Sequence, residues 1–195
     1  MQGKQILMGG IKSAGRMLLA GIMCLIVSIS LTAMLDNQFL RVVTQLISLV
    51  IFISMSYVPV WNEGNGDVNK INYERMTRDD FRGLKYGLIA AIPGFILYAL
   101  FLMARFGVIN QSFFGIYRFL TPIFLPLNMS LMPSTLTMQE TPVITALLVG
   151  FETLLPILVC GFAYALGLRR YSLSERFIYP IAPQRKKKKP RLRRY

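Results

Sequence analysis

At residues 17–35 the chain reads MLLAGIMCLIVSISLTAML, a stretch without a single charged side chain. An α-helix rises 1.5 Å per residue, so about 20 apolar residues are enough to cross a hydrocarbon layer of about 30 Å. The stretch therefore predicts a membrane-spanning helix. It also decides what kind of fold to expect from the rest of the chain.

Three further runs of the same kind follow, at residues 42–61, 84–104 and 143–168. The composition agrees, because 54% of the 195 residues are hydrophobic and the mean hydropathy is +0.49. Soluble domains of this size are rarely so apolar. We therefore predict an all-α membrane protein with four transmembrane helices.

A fifth apolar stretch, residues 113–132, contains Pro122 and Pro126. Proline lacks a backbone donor and kinks or ends a helix at an interior position. We therefore predict that this stretch is a proline-broken segment, either re-entrant or interfacial, and not a fifth span.

The charge distribution predicts the orientation. The chain carries 22 basic and 9 acidic residues, a net charge of +13. Four spans place nineteen of the basic residues on one side, in the N-terminal arm, in a loop at residues 62–83 with the start of the following helix, and in the C-terminal arm. Lys and Arg accumulate in cytoplasmic loops. We expect a transmembrane domain at residues 1–183 of a bacterial inner membrane, with both termini cytoplasmic and an outer segment at residues 105–142.

The C-terminal stretch QRKKKKPRLRRY, residues 184–195, has eight basic residues and no acidic one. Such a tail is expected to be disordered when free. Neutralising phosphates releases counterions and gives strong binding to RNA, while Tyr171 and Tyr179 are suited to stacking on unpaired bases. An anionic lipid surface is the alternative partner. The residues predicted to contact RNA are Arg75, Arg78, Arg82, Lys85, Arg169, Arg170, Tyr171, Arg176, Tyr179, Arg185, Lys186, Lys187, Lys188, Lys189, Arg191, Arg193 and Arg194.

The loop between the second and third runs contains EGNGD at residues 63–67, a sequence typical of a turn. A short amphipathic helix is expected at residues 72–82. Three acids of the loop, Asp67, Asp79 and Asp80, either recruit Mg²⁺ together with phosphates or cap helices and balance nearby arginines.

Glu152 lies inside the fourth apolar run, where an ionisable group is costly and is a functional candidate. It either has an ion or proton role or pairs with Arg105 or Arg118. Together with the broken stretch at residues 113–132, it supports a rival hypothesis, a small transporter or transporter subunit, because discontinuous helices often line transport sites.

Enzyme motifs are absent from the sequence. It contains no histidine, no GxxxxGK[ST] loop and no GxSxG elbow, and Cys24 and Cys160 both lie in apolar runs. We therefore predict a non-enzymatic protein without a bound metal or cofactor, apart from Mg²⁺ brought by RNA. Glycines four residues apart, such as Gly83 and Gly87, allow close helix packing, including packing between subunits.

The architecture, the loop at residues 63–85 and the basic arms at residues 169–179 and 185–195 together resemble the OLE-associated membrane protein family. Those small Firmicute membrane proteins bind the large OLE noncoding RNA. The resemblance implies a homodimer assembled on a structured RNA in a ribonucleoprotein complex. It also implies a role in the stress response to cold, alcohol or Mg²⁺.

Overall fold

The computed structural model describes residues 2–31, 37–110, 113–132, 137 and 139–171. Within these ranges the chain is all-helical and contains no strand. The predictions made for residues 172–195, including the polybasic tail, lie outside the described residues.

Four long helices dominate the fold. They are α1 (Gln2–Ser30), α2 (Gln38–Asn72), α3 (Arg82–Arg105) and, last in the chain, Val143–Leu168. All four are long and apolar enough to cross a membrane. The prediction of an all-α protein with four potential transmembrane helices is therefore confirmed, and the structure has the features of a membrane protein.

The chain between the third and fourth long helices is broken into short pieces. It forms α4 (Phe113–Leu120), a 3₁₀ turn (Pro122–Phe124) and α5 (Leu125–Leu131), and Val143–Leu168 is therefore α6. Pro122 and Pro126 each lie in the first turn of a new piece, where a missing backbone N–H costs little. We call residues 113–132 the broken segment.

Glycines bring the long helices into close contact. A Cβ atom added to Gly83 would lie 2.7 Å from the Cys160 carbonyl oxygen, and one added to Gly87 would lie 2.5 Å from the Ile157 Cα. The Gly83/Gly87 spacing is therefore used inside the chain, where it seats α3 on α6. On the other side of α3, the Tyr86 ring fills the space above Gly9 of α1.

The bundle buries small and polar side chains and exposes large apolar ones. Ser28, Ser48 and Thr44 are buried, whereas Leu18 and Val50 are more than 60% exposed. Helices in lipid pack through small residues and hydrogen bonds, since the lipid tails solvate the large apolar side chains. The outer surface is therefore suited to a hydrocarbon environment.

The second long helix is longer than predicted. Residues 63–67 form helix and not a turn, α2 continues to Asn72, and the connecting loop is residues 73–81 instead of 62–83. A Cβ atom on Gly64 would lie 2.7 Å from the Tyr164 carbonyl oxygen, so this glycine permits the contact with α6. The predicted short amphipathic helix is wrong as well, because residues 73–81 contain no helix.

Candidate functional site

One end of the bundle collects most of the charged residues that the structure describes. Antiparallel helices bring together the start of α1, the end of α2, the start of α3 and the end of α6. For example, Arg82 Nη2 of α3 donates to Gln5 Oε1 of α1 at 3.4 Å. We call this the basic end. Its charged residues are Lys4, Lys12, Arg16, Glu63, Asp67, Lys70, Glu74, Arg75, Arg78, Asp79, Asp80, Arg82, Lys85, Arg169 and Arg170.

A buried ion pair lies at the centre of the basic end. Asp67 is 2% exposed and Arg82 is 5% exposed, and Arg82 Nη1 lies 3.5 Å from Asp67 Oδ2. Lys70 Nζ donates to Asp67 Oδ1 at 2.7 Å, and the Tyr164 hydroxyl donates to Oδ2 at 3.0 Å. Arg82 Nε donates to the Tyr86 hydroxyl at 2.7 Å. Buried charges are tolerated only with such partners. Because Asp67, Arg82 and Tyr164 lie on α2, α3 and α6, the network connects these three helices.

This network distinguishes Arg82 from the other residues predicted to contact RNA. The sequence pattern grouped Arg82 with the RNA-contacting residues, but its guanidinium group is buried among side chains of the same chain. Its guanidinium nitrogens contact Tyr86, Met76 and Asp67. Asp67 was considered among the acids that balance nearby arginines, whereas Tyr164 was not predicted to join them, because it lies on another helix and no local spacing connects it to Asp67.

Six of the predicted contacts are exposed at the basic end. They are Arg75, Arg78, Lys85, Arg169, Arg170 and Tyr171. Arg78 Nε lies 2.7 Å from Asp80 Oδ1, and Lys85 Nζ lies 2.6 Å from Asp79 Oδ2. Exposed ion pairs of this kind contribute about 0–1 kcal/mol, so these two cations can exchange their carboxylate partners for phosphate at little cost.

The chain leaving α6 is fixed against the end of α2. Arg170 Nη2 donates to Asn69 Oδ1 at 2.6 Å, and Trp61 Nε1 donates to the Tyr171 carbonyl oxygen at 2.8 Å. Arg170 adopts a φ of 52°, a left-handed conformation that ends the helix. These contacts hold Arg170 beside the last turn of α2.

The acids of the basic end act as partners for basic residues. Asp67, Asp79 and Asp80 each form an ion pair with a Lys or Arg, and Asp79 Oδ1 also accepts from the Phe81 N–H at 3.2 Å. Among the described residues, no three His, Cys, Asp or Glu side chains come together as a metal site. The balancing role considered for these acids is therefore the one that the geometry supports.

Glu152 lies on α6 and faces the broken segment. Its side chain is buried, at 7% exposed, and its Oε1 atom has no hydrogen-bond partner among the described residues. The ion pair expected with Arg105 or Arg118 does not form in the described part of the chain, and Arg118 donates to the Met132 carbonyl oxygen. The Asn128 amide is close enough to interact with the carboxylate.

A glutamine that the sequence reasoning missed holds the broken segment in place. Gln45 Nε2 on α2 donates to the Ile123 carbonyl oxygen at 3.1 Å, and its Oε1 accepts from the Leu127 N–H at 3.1 Å. Backbone groups freed by a helix break must find partners inside the protein when water is absent. An amide side chain within the apolar run at residues 42–61 was the signal that could have identified it.

Comparisons with protein-family models, with curated proteins and with solved structures find no significant match to this chain. In the described part of the chain, the fold and the sites define a class, an all-helical protein with four helices that could span a membrane, one cationic end and one buried, incompletely paired carboxylate. The functional argument therefore depends on the chain's own residues.

Proposed function

We propose that the chain is a membrane-anchored RNA-binding protein whose basic end tethers a large structured noncoding RNA in a ribonucleoprotein complex. The observation that supports it is the collection of exposed cations at one end of the bundle. Basic residues there outnumber acidic ones two to one among the described residues, and nine more basic residues follow residue 171 in the sequence.

Electrostatics accounts for the affinity in this proposal. Each phosphate that a Lys or Arg neutralises releases counterions, so many weak contacts add up to strong, salt-dependent binding. Arg78 and Lys85 each contact a carboxylate on the surface, that of Asp80 and that of Asp79 respectively. A phosphate takes the place of the carboxylate without reorganising the buried network around Asp67.

Exposed aromatic side chains at the same end favour RNA over a plain lipid surface. Tyr73 is 74% exposed and Phe81 is 66% exposed, and both lie in the loop that carries Arg75 and Arg78. Flat rings beside cations stack on unpaired bases of RNA. Tyr171, beside Arg170, offers a third ring at this surface.

The proposal includes an orientation and an assembly. The basic end and both termini face the cytoplasm across a bacterial inner membrane, because cationic segments are retained there. The protein acts as a homodimer in the stress response, as the resemblance to the OLE-associated family implies. Mg²⁺ enters only with the RNA, whose phosphates it neutralises.

A binding titration with the purified full-length protein and a large structured RNA tests the proposal. The test variant carries Arg75→Gln, Arg78→Gln, Arg169→Gln and Arg170→Gln, and the control carries Arg41→Gln and Arg105→Gln at the opposite end. We expect the test variant to bind at least about 10-fold more weakly, with a shallower dependence of log K on log salt by about 0.7 for each lost contact. The control should bind like the unmodified protein.

Three results would oppose the proposal. RNA affinity that ignores salt contradicts the electrostatic mechanism. An equal loss in the control contradicts the assignment to the basic end. Equal binding of RNA and heparin, together with retention by vesicles containing anionic lipid, supports a lipid-surface scaffold instead.

A further inference from the structure

A cavity lies away from the basic end, between α1, α3, α6 and the broken segment. Its volume is about 610 Å³, and its lining includes Met17, Leu97, Tyr117, Phe124 and Glu152. Drug-sized ligands occupy cavities of about 300–1,000 Å³ with mostly apolar walls and a few polar groups. The cavity is therefore large enough for an organic molecule.

The two threonine hydroxyls of the cavity lining bond to the protein itself, whereas one oxygen of the Glu152 carboxylate does not bond to any residue that the structure describes. The Thr121 hydroxyl donates to the Tyr117 carbonyl oxygen at 3.0 Å, and the Thr153 hydroxyl donates to the Gly150 carbonyl oxygen at 2.7 Å. Glu152 Oε1 lacks a partner among the described residues. Leaving a buried carboxylate unpaired is costly, so a ligand that pairs with it gains that free energy.

The chemistry of the lining selects the ligand. No basic side chain lines the cavity in the described part of the chain, so the lining offers no counter-ion to the Glu152 carboxylate. Small inorganic cations need several oxygen ligands, whereas these walls are apolar and aromatic. A cation with an apolar surface instead buries its hydrocarbon against the walls, and the Tyr117 and Phe124 rings favour a positive charge nearby.

We propose that this cavity binds lipophilic organic monocations, with the Glu152 carboxylate as the counter-ion. Asn128 on α5 is fully buried, and its Nδ2 donates to Thr121 Oγ1 at 3.2 Å, which holds α5 against this lining residue. Gln45 fixes the broken segment that forms one wall. The site is independent of the RNA-binding function, since none of its residues belongs to the basic end.

The first test is equilibrium binding of tetraphenylphosphonium to the full-length protein in lipid nanodiscs. Glu152→Gln keeps the side-chain size and removes the charge, and Glu140→Gln removes the charge of an exposed carboxylate as the matched control. We expect saturable binding to the unmodified protein and to Glu140→Gln, and binding at least 10-fold weaker to Glu152→Gln. Triphenylphosphine oxide, a neutral analogue, should bind the unmodified protein and Glu152→Gln equally.

Equal binding of tetraphenylphosphonium to Glu152→Gln would overturn the proposal, since it would indicate partition into an apolar cavity without a counter-ion. The absence of saturable binding to the unmodified protein would overturn it as well. Because no RNA is present in this assay, a failure here leaves the proposed RNA tether standing, and a failure of RNA binding leaves this site standing.

A second test needs no variant and so does not depend on Glu152→Gln folding normally. Dicyclohexylcarbodiimide modifies carboxyl groups in apolar surroundings, and mass spectrometry of the peptide containing Glu152 measures the modification. We expect tetraphenylphosphonium to protect Glu152 in a saturable manner, whereas triphenylphosphine oxide at the same concentration protects it less. No protection by the cation, or equal protection by the neutral analogue, would contradict the proposal.

Discussion

Two buried carboxylates, Asp67 and Glu152, are surrounded in opposite ways. Asp67 contacts Lys70, Arg82 and Tyr164, so both of its oxygens are occupied. Glu152 has an unpartnered oxygen and an apolar cavity in front of it. Burial alone therefore does not identify a functional acid. A fully paired carboxylate holds helices together, whereas an incompletely paired one leaves a place for a ligand.

The largest effect is expected from a comparison of the two ends of the bundle. In a background with Cys24→Ala and Cys160→Ala, Tyr73→Cys places a thiol at the basic end and Val108→Cys places one at the opposite end. A membrane-impermeant maleimide added to intact cells should label Val108→Cys and leave Tyr73→Cys unlabelled until the membrane is opened. The reverse pattern would contradict the proposed orientation, because the basic end would then face outward.

The second effect concerns the paired carboxylate. Asp67→Leu leaves the Arg82 guanidinium buried without its counter-ion, a change that costs about 3–5 kcal/mol when a buried pair is broken. We expect the unfolding free energy of the protein in detergent to fall by about that amount. Adding Arg82→Met to this variant should restore part of it. A loss below about 1 kcal/mol would show that the network does not stabilise the bundle.

The third effect tests the extended α2. Gly64→Ala pushes a Cβ atom toward the Tyr164 carbonyl oxygen, whereas a Cβ on Gly66 meets nothing within 4 Å. We expect Gly64→Ala to destabilise by about 1–3 kcal/mol. Gly66→Ala should stabilise by up to about 1 kcal/mol, because alanine favours helix. Thermal unfolding of both variants would measure this, and destabilisation by Gly66→Ala would instead favour a turn at residues 63–67.

The smallest effect is expected at the incompletely paired carboxylate. Glu152→Gln breaks no ion pair among the described residues, so the unfolding free energy should fall by less than about 1 kcal/mol or rise. The same denaturation experiment as for Asp67→Leu provides the comparison. A loss as large as that of Asp67→Leu would show that Glu152 is a structural residue, in contrast to the role assigned to it.

The sequence was most informative where a local pattern is enough. The four apolar runs predicted four long helices, and Pro122 and Pro126 predicted the break between α4 and α5. Both depend on the immediate neighbourhood of each residue along the chain, through hydropathy and through the backbone donor that proline lacks.

The sequence was least informative where residues far apart in the chain meet. Gly64 was interpreted as a turn residue because glycine permits both turns and close helix contacts, and only the position of α6 decides between them. Asp67, the counter-ion of Arg82, lies on another helix, so the burial of this pair could not be inferred from spacing. The two hydrogen bonds between Gln45 and the broken segment join residues far apart in the chain. Ile123 lies 78 positions after Gln45, and Leu127 lies 82 positions after it.

The most direct test of the RNA tether is crosslinking in living cells, followed by denaturing purification of the protein and sequencing of the attached RNA. We expect one structured noncoding RNA to dominate the recovered molecules. Its yield should fall strongly when Arg75, Arg78, Arg169 and Arg170 are replaced by Gln, and should be unchanged when Arg41 and Arg105 are replaced. Recovery of no RNA above an untagged control would contradict the account.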